Sequence, residues 1–188
     1  MKKIGITGSL ASGKTTASKI ISAKKGPLFN ADYVVKKIYA KKSFQQLISK
    51  KFNLSNNSNL KKNLKKKILE NKKNLIILEK LIHPKVRKEM KKFIKKNKGK
   101  KFLFFEIPLL IESKLMKNFD VIIFIKAKKS LRLKRFKSKG NNKKLFKLLD
   151  NKQIEEDKKM KLCDHIIVNE KNLKFLKIKL LAILEQYE

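Results

Sequence analysis

The sequence predicts an α/β fold in which a parallel sheet is combined with a long helical insertion. Residues 102–105 and 121–125 are hydrophobic without alternation, which is typical of strands covered on both faces of a parallel sheet. Segments with strand and helix character alternate along the chain, except in a helical block at residues 36–98. The 188 residues are enough for one compact domain with an insertion.

The first elements surround a glycine-rich loop. Residues 1–7 predict a strand that ends in this loop, and residues 15–25 predict a helix that Gly26 and Pro27 would terminate. Residues 28–32 predict a second short strand that runs into a loop.

The block at residues 36–98 shows no strand pattern, because its hydrophobic residues recur every three or four positions. We interpret it as helical, with a polar break at residues 53–59 and a solvated lysine-rich helix face at residues 61–73. The remaining predicted elements are strands at 102–105 and 121–125, a helix from Lys129, a charged flexible loop at 137–142, a helix at 143–162, a strand at 165–168 and a closing helix.

The charge is unusual, since 51 Lys and Arg residues stand against 15 Asp and Glu residues and give a formal net charge of +36. Such a balance raises the possibility of a nucleic acid or an acidic membrane as partner. Arginine, which is suited to reading bases and clamping phosphates, occurs only at Arg87, Arg132 and Arg135. We attribute most of the charge to compositional bias and do not expect nucleic acid to be the main ligand.

Other sequence features favour a cytoplasmic protein without a membrane partner. The hydrophobic runs are far shorter than the ~20 residues of a membrane-spanning helix, and the glycine-rich loop interrupts the N-terminus before a signal-peptide core. The single cysteine, Cys163, excludes an internal disulfide, and we predict a small core residue rather than a nucleophile.

The strongest motif is GSLASGKT at residues 8–15, which fits the pattern G-x-x-x-x-G-K-[ST] between a strand and a helix. Its glycines allow successive backbone N–H groups to surround a phosphate, to which the new helix adds its free N-terminal amides. Lys14 is expected to reach the β- and γ-phosphates of ATP, and the Thr15 hydroxyl to ligate Mg²⁺. The predicted nucleotide-binding residues here are Gly8, Ser9, Leu10, Ala11, Ser12, Gly13, Lys14, Thr15 and Thr16.

A phosphate loop predicts a nucleotide but not a reaction. The Asn-Lys-x-Asp clamp of GTP-binding switches is missing, because the nearest string, at residues 151–154, lacks the aspartate. The length and the helical insertion favour a small-molecule kinase. A basic nucleic-acid-binding ATPase and a nucleotide-binding signalling protein remain alternatives.

Two acidic residues lie at the ends of predicted strands. Asp32 ends the second strand, where it could accept a proton from an attacking hydroxyl, hold Mg²⁺ through water, or cap a helix that begins at Tyr33. Glu106 follows the run at 102–105 and could be an acid of the Walker B type or an ordinary glutamate at the edge of a strand.

Beyond these features, a set of strings in a particular order and spacing resembles the dephospho-CoA kinases over nearly the whole chain. These strings are GSLASGKTT at 8–16, NAD at 30–32, LIHP at 81–84 with Arg87, PLLIE at 108–112, LKR at 133–135, and Gln153 with DHIIVN at 164–169. The resemblance implies a three-layer α/β/α P-loop kinase fold with a parallel sheet, a helical substrate-binding insertion and a lid. It places the core at about 1–32, 99–135 and 162–188, the CoA-binding insertion at about 33–98 and the lid at about 136–161.

The resemblance also implies transfer of the ATP γ-phosphate to the ribose 3′-hydroxyl of dephospho-CoA, the last step of coenzyme A synthesis. Asp32 then matches the general base, Arg135 and its neighbouring lid lysines neutralise the transferred phosphoryl group, and Asn169 lies near adenine. The residues that border the acceptor substrate would be Asp32, His83, Arg87, Leu109 and Glu112.

Each acceptor residue also has a structural explanation. His83, which precedes a proline, could cap or end a helix, and Leu109 and Leu110 could be core residues in the first turn of a helix. Glu112 could face solvent or favour the N-terminal half of that helix. The chain also departs from the common family pattern, with asparagine at position 30 in place of aspartate and lysine at position 139 in place of a second lid arginine.

Overall fold

The computed structural model describes residues 1–23, 25–55, 59–151 and 153–188, and at Lys72 it describes the backbone alone. The predicted polar break at 53–59 therefore lies partly outside the described residues. The chain forms two compact units, one made of Met1–Asn30 with Asn97–Glu188 and the other of Ala31–Lys96.

The first unit is built on a five-stranded sheet in which all neighbouring strands are parallel. The strand order is β2-β3-β1-β4-β5, so the first strand lies at the centre of the sheet. This arrangement confirms the predicted α/β fold with a parallel sheet. The strands are β1 (Lys2–Gly8), β2 (Leu28–Asn30), β3 (Phe102–Glu106), β4 (Val121–Lys126) and β5 (His165–Val168).

The helices of the described residues are α1 (Lys14–Ser22), α2 (Ala31–Ala40), α3 (Lys42–Phe52), α4 (Leu60–Glu70), α5 (Lys72–Lys96), α6 (Lys129–Lys137), α7 (Lys143–Asp150), α8 (Glu156–Met160) and α9 (Leu173–Glu185). Across the part of the chain that the structure describes, none of them has both the length and the hydrophobicity to cross a lipid bilayer.

The core of the first unit explains the hydrophobic runs in the sequence. The side chains of β3 are buried along the whole strand, as are those of β4 up to its last residue. Helices α1 and α9 pack together with the sheet through buried residues such as Ala17, Ile21, Leu176 and Leu180. The central strand β1 is thereby buried from Ile4 onward, and the loop that follows it starts from a fixed position.

The second unit consists of α2, α3, α4 and α5, as the three- and four-residue periodicity predicts. Phe44 and Ile48 of α3 and Leu60 and Leu64 of α4 are buried in one hydrophobic cluster. Leu47 belongs to the same predicted pattern but is 37% exposed. The cluster gives this unit a hydrophobic core of its own.

Several predicted boundaries are wrong. The second strand ends at Asn30 and passes directly into α2 instead of a loop, because the Asn30 side chain is fixed by Glu106 and helical geometry begins at Ala31. The helix predicted at 143–162 is two helices, since Asp150 at the end of α7 is held by Arg132 and α8 begins anew at Glu156. The first helix ends at Ser22, before the glycine and proline expected to end it.

Two further local predictions are wrong. His83 lies inside α5 and not at a helix end, because the helix continues through Pro84 to Lys96. The segment that starts at Pro108 forms consecutive turns up to Lys114 instead of a helix, and a short 3₁₀ turn, Met116–Asn118, follows it.

Helix α7 is anchored by one aromatic side chain, whose removal we expect to destabilise the first unit. Phe146 is 1% exposed and its ring lies 5.5 Å from that of Phe136. Phe146→Ala should lower the free energy of unfolding by about 3–5 kcal/mol in urea titrations, because the lost side chain leaves a cavity. Leu148→Ala on the same helix is the control, since Leu148 is 44% exposed and should change stability by less than about 1 kcal/mol. Equal losses in the two variants would contradict this packing.

Candidate active site

The phosphate loop at residues 8–15 connects the central strand β1 to α1. It needs glycine at two positions, because Gly8 and Gly13 have φ angles of 151° and 101°. A Cβ atom on Gly8 would lie 2.3 Å from the Ile125 carbonyl oxygen, and one on Gly13 would lie 2.2 Å from Asn169 Nδ2. Strand β4 and the residue that follows β5 therefore leave no room for a side chain at these two positions, which restricts the shape of the loop.

Lys14 is buried against the loop that it follows. Its Nζ donates hydrogen bonds to the carbonyl oxygens of Gly8 at 3.1 Å and Ser9 at 2.8 Å. The ammonium group lies at the N-terminus of α1, whose first turn contains no acidic residue. A positive side chain at the N-terminus of a helix is a suitable place for an anion.

Glu106, at the end of β3, is a buried carboxylate beside this loop and is only 2% exposed. It accepts hydrogen bonds from Thr15 Oγ1 at 2.5 Å, Ser18 Oγ at 3.0 Å and Asn30 Nδ2 at 2.5 Å. The sequence left its role open and did not place it among the site residues. Its position could have indicated a site residue, because Glu106 is an acid at the carboxyl end of a fully hydrophobic strand. The carboxyl ends of parallel strands meet at the edge of the sheet where ligands bind.

The contact with Glu106 also explains the asparagine at position 30. The Asn30 amide donates to the Glu106 carboxylate. An aspartate in the same place would bring a second carboxylate against Glu106 and would have no proton to donate at neutral pH. The departure from the family pattern is therefore matched to the glutamate on the neighbouring strand.

Arg135 and Asn169 meet at the far side of the loop. Arg135 donates to the carbonyl oxygens of Ser12 at 3.2 Å and Asn169 at 3.0 Å. The buried Asn169 side chain donates to the same Ser12 oxygen at 2.8 Å. The structure thus brings together two predicted site residues that are 34 positions apart in the sequence.

Arg132, which is not among the site residues predicted from the sequence, lies one turn before Arg135 on α6. It is 6% exposed and donates to the carbonyl oxygens of Ala127 at 3.1 Å and Leu10 at 3.3 Å. Its Nη1 also donates to Asp150 Oδ1 at 2.6 Å. Both arginines of α6 therefore support carbonyl groups of the phosphate loop. The three-residue spacing of the two arginines, in a chain with so few arginines, could have indicated that Arg132 belongs to the site.

The carboxyl group of Asp150 is mostly buried, and burial alone would raise its pKa. The hydrogen bonds and positive charges of Arg132 and Lys129 outweigh burial and hold the pKa of Asp150 below its ordinary value. Asp150 is therefore ionised at neutral pH and stabilises the buried guanidinium of Arg132.

Helix α8 approaches the loop from the other end. Ser9 Oγ donates a hydrogen bond to Glu156 at the start of α8. A cavity of about 480 Å³ lies next to this contact and is lined by residues that include Ser9, Arg132, Asp150 and Gln153. The first unit thus holds an open space directly beside the phosphate loop.

The turns after β3 contain two of the predicted acceptor residues. Thr7 Oγ1 donates to the Pro108 carbonyl oxygen at 3.1 Å, which fixes the start of these turns beside the end of β1. Leu109 is 42% exposed, so the core explanation is wrong for it, whereas Leu110 is fully buried. Glu112 does not face solvent, because its Oε1 accepts a hydrogen bond from Lys159 Nζ at 3.1 Å.

The other predicted acceptor residues belong to the second unit. Asp32 is exposed in the first turn of α2, so it neither ends β2 nor caps a helix that begins at Tyr33. His83 is half-buried and Arg87 is exposed, and their four-residue spacing on α5 places them on one face of the helix.

Cys163 is half-buried rather than part of the core. Burial, together with the nearby Asp164 carboxylate, raises the pKa of its thiol to about 12. The thiol is therefore protonated at neutral pH, which supports the prediction that Cys163 is not a nucleophile.

The central strand of a parallel sheet leads through this glycine-rich loop into a helix, and an acid lies at the end of the neighbouring strand. Together these features define a P-loop kinase. The pattern of the dephospho-CoA kinase family (CoaE) matches residues 2–174. The chain therefore belongs to the dephospho-CoA kinase family, as its resemblance to that family predicts.

Known proteins support this assignment. The chain is 35% identical over 178 residues to the dephospho-CoA kinase of Fusobacterium nucleatum subsp. nucleatum, with 92% of each chain covered. It is 33% identical over 190 residues to that of Bartonella quintana, covering 98% of this chain and 97% of the relative.

Solved structures show the same fold. A dephospho-CoA kinase from Campylobacter jejuni is 25% identical with a TM-score of 0.64, over 100% of this chain and 97% of that one. TT1252 from Thermus thermophilus is 22% identical and has a TM-score of 0.85, with 98% and 97% of the chains covered. A shikimate kinase from Aquifex aeolicus, 21% identical with a TM-score of 0.54, shares the fold over 97% and 96% of the chains.

The Arg132–Asp150 contact predicts a pH-dependent stability. Because folding lowers the pKa of Asp150, its contribution is present above the unfolded value of about 3.9 and is lost as pH falls through the folded value. Asp150→Asn should cost about 1–3 kcal/mol in urea unfolding at pH 7, and the difference from wild type should shrink below about pH 4. The exposed Asp157→Asn is the control. A difference at pH 3 as large as that at pH 7 would contradict the assignment.

Proposed function

We propose that the protein transfers the γ-phosphate of ATP to the ribose 3′-hydroxyl of dephospho-CoA and yields coenzyme A and ADP. The match to the dephospho-CoA kinase family over residues 2–174 is the observation that supports this most directly. The phosphate loop with Lys14 and Glu106 beside it provides the chemistry that such a transfer requires. The reaction is the final step of coenzyme A biosynthesis in this family.

Phosphate binding falls to groups that already converge on the loop. The Lys14 ammonium now donates to two loop carbonyls, and its flexible stem allows it to turn toward the β- and γ-phosphates of ATP. The loop amides and the N-terminus of α1 add neutral donors. Little covalent chemistry is left to the protein, so that holding the phosphates in line and neutralising their charge supply most of the rate enhancement.

The residues at the loop fit a magnesium ion. Thr15 Oγ1 donates a hydrogen bond to Glu106, so that the lone pairs of the hydroxyl oxygen can face a cation, and Glu106 supplies a buried negative charge 2.5 Å away. The described residues contain no cluster of three or more His, Cys, Asp or Glu side chains. This suits Mg²⁺, which takes few protein ligands and completes its shell with phosphate oxygens and water. When bound, the ion neutralises charge on the transferred phosphoryl group.

The remaining roles follow from family membership. Asp32 would act as the general base that accepts the proton of the attacking hydroxyl, and the exposed first turn of α2 leaves its carboxylate accessible. His83 and Arg87 of the second unit, with Leu109 and Glu112 of the first, would bind the acceptor. The second unit, Ala31–Lys96, would then serve as the CoA-binding insertion.

Residues 136–161 would form the lid, which comprises the end of α6, α7 and α8. Arg135 and the lysines next to it would neutralise charge on the transferred phosphoryl group, and Asn169 would lie near adenine. Closing such a lid excludes water, which would otherwise compete with the acceptor hydroxyl. Lys139 keeps the charge of the family's second arginine but lacks its planar fork.

The acceptor assay tests the proposed function. Purified protein with ATP and Mg²⁺ should phosphorylate dephospho-CoA and leave AMP, CMP and shikimate unmodified, as followed by coupled ADP release and mass spectrometry. Lys14→Ala should abolish transfer while the circular dichroism spectrum stays unchanged, because the variant lacks the ammonium that reaches the phosphates. Lys19→Ala is the control, since Lys19 is exposed on the same helix. Preferential transfer to another acceptor would overturn the proposal.

The role of Asp32 has a separate test. Asp32→Asn should lower kcat by about 10²–10⁴, which is the usual contribution of a positioned general base, with little change in the KM for ATP. Glu70→Gln makes the same change of charge at an exposed position of the second unit and should leave kcat unaltered. A loss of less than about threefold in Asp32→Asn would show that Asp32 is not the base.

A further inference from the structure

We propose that Lys159 is a positioning residue that orients Glu112 to accept a hydrogen bond from the acceptor substrate. This inference rests on the proposed function, because it assumes an acceptor bound next to the turns after β3. It concerns the first unit alone, in which both residues lie.

Lys159 is an unusual lysine in a chain whose lysines are mostly at the surface. It lies in α8 and is 1% exposed. Its Nζ donates to Glu112 Oε1 at 3.1 Å and to Gln153 Oε1 at 3.2 Å, and lies 5.9 Å from the centre of the Phe124 ring. Burying an ammonium group is costly unless it is paired, so that the Glu112 carboxylate is its necessary counter-ion.

Glu112 is used at only one of its two oxygens. Oε1 accepts from Lys159, whereas Oε2 is buried and has no hydrogen-bond partner among the described residues. Buried carboxylate oxygens are rarely left unsatisfied in native structures. A charged oxygen in this state is suited to a neutral donor, such as a hydroxyl or an amide N–H group, and would repel a phosphate.

The location of Glu112 favours a substrate as that donor. The Thr7–Pro108 hydrogen bond fixes the turn that contains Glu112 to the carboxyl end of β1, where the phosphate loop begins. Three residues before Lys159 on the same helix, Glu156 accepts from Ser9 of that loop. One short helix therefore contacts both the phosphate loop and the turn that contains Glu112.

Lys159 itself cannot be a substrate ligand in this arrangement. Its ammonium already donates to Glu112 and Gln153, whereas Glu112 Oε2 has no partner in the described part of the chain, so that Lys159 acts through the carboxylate that it holds. The expected signature is a change in acceptor binding that leaves ATP binding intact.

The test compares two adjacent lysines. Lys159→Met, which keeps the aliphatic stem, should raise the KM for dephospho-CoA about 10- to 100-fold, with the KM for ATP and kcat each within about threefold of wild type. Lys158→Met is the matched control, because Lys158 is 71% exposed and pairs at 2.9 Å only with the exposed Glu155 in the described contacts. It should leave all three constants unchanged.

A double-mutant cycle separates positioning from stability. Lys159→Met leaves the Glu112 carboxylate buried without its counter-ion, and Glu112→Gln in the same chain removes that charge and should restore thermal stability. If Lys159 acts through Glu112, the double variant should have the same KM for dephospho-CoA as Glu112→Gln alone. Additive effects of the two substitutions, or a wild-type KM in the folded double variant, would overturn the proposal.

Calorimetric binding of dephospho-CoA distinguishes this inference from the proposed function. If wild-type protein binds dephospho-CoA without phosphorylating it and Lys159→Met weakens that binding, the proposed function fails and the positioning role stands. If transfer is intact and Lys159→Met binds the acceptor like Lys158→Met, the positioning role fails alone. Absence of both binding and transfer in the wild type would overturn both proposals.

Discussion

The site depends on the hydrogen bonds that the buried carboxylate of Glu106 accepts. Through Asn30 it connects β3 to the end of β2, and through Thr15 and Ser18 it connects β3 to α1. A buried negative charge is stable only when several donors point at it, so these contacts fix the start of α1, where the phosphate loop ends, relative to the sheet. The same charge makes the loop a suitable place for a divalent cation.

The charge of +36 has little to do with this architecture. Among the described residues, the cations that donate hydrogen bonds to the phosphate loop are buried or half-buried, namely Lys14, Arg132 and Arg135. Most other lysines lie on helix surfaces, where ion pairs such as Lys92–Glu89 contribute little. The architecture of the phosphate loop therefore depends on where a few cations are held rather than on how many lysines the chain contains.

Much of the site could be predicted from the sequence, because a phosphate loop is a local pattern whose glycines and lysine have direct physical roles. The sheet was also predictable, because each buried strand is a local run of hydrophobic residues. Contacts between distant segments could not be predicted. Arg132 with Asp150 and Lys159 with Glu112 are opposite charges that meet only in the folded chain, and no periodicity marks them. The break between α7 and α8 was missed because these contacts, and no proline or glycine, accompany it.

The contact between Asn169 and the loop has a consequence for biosynthesis. Ser12 accepts its hydrogen bond from a residue 157 positions further along the chain, and the Asn169 amide occupies the space that Gly13 leaves open. A nascent chain has made the whole phosphate loop long before β5 leaves the ribosome. The support of the phosphate loop is therefore completed only after β5 and Asn169 have been synthesised, so that a truncated product lacking β5 would contain the motif without the residue that packs against it.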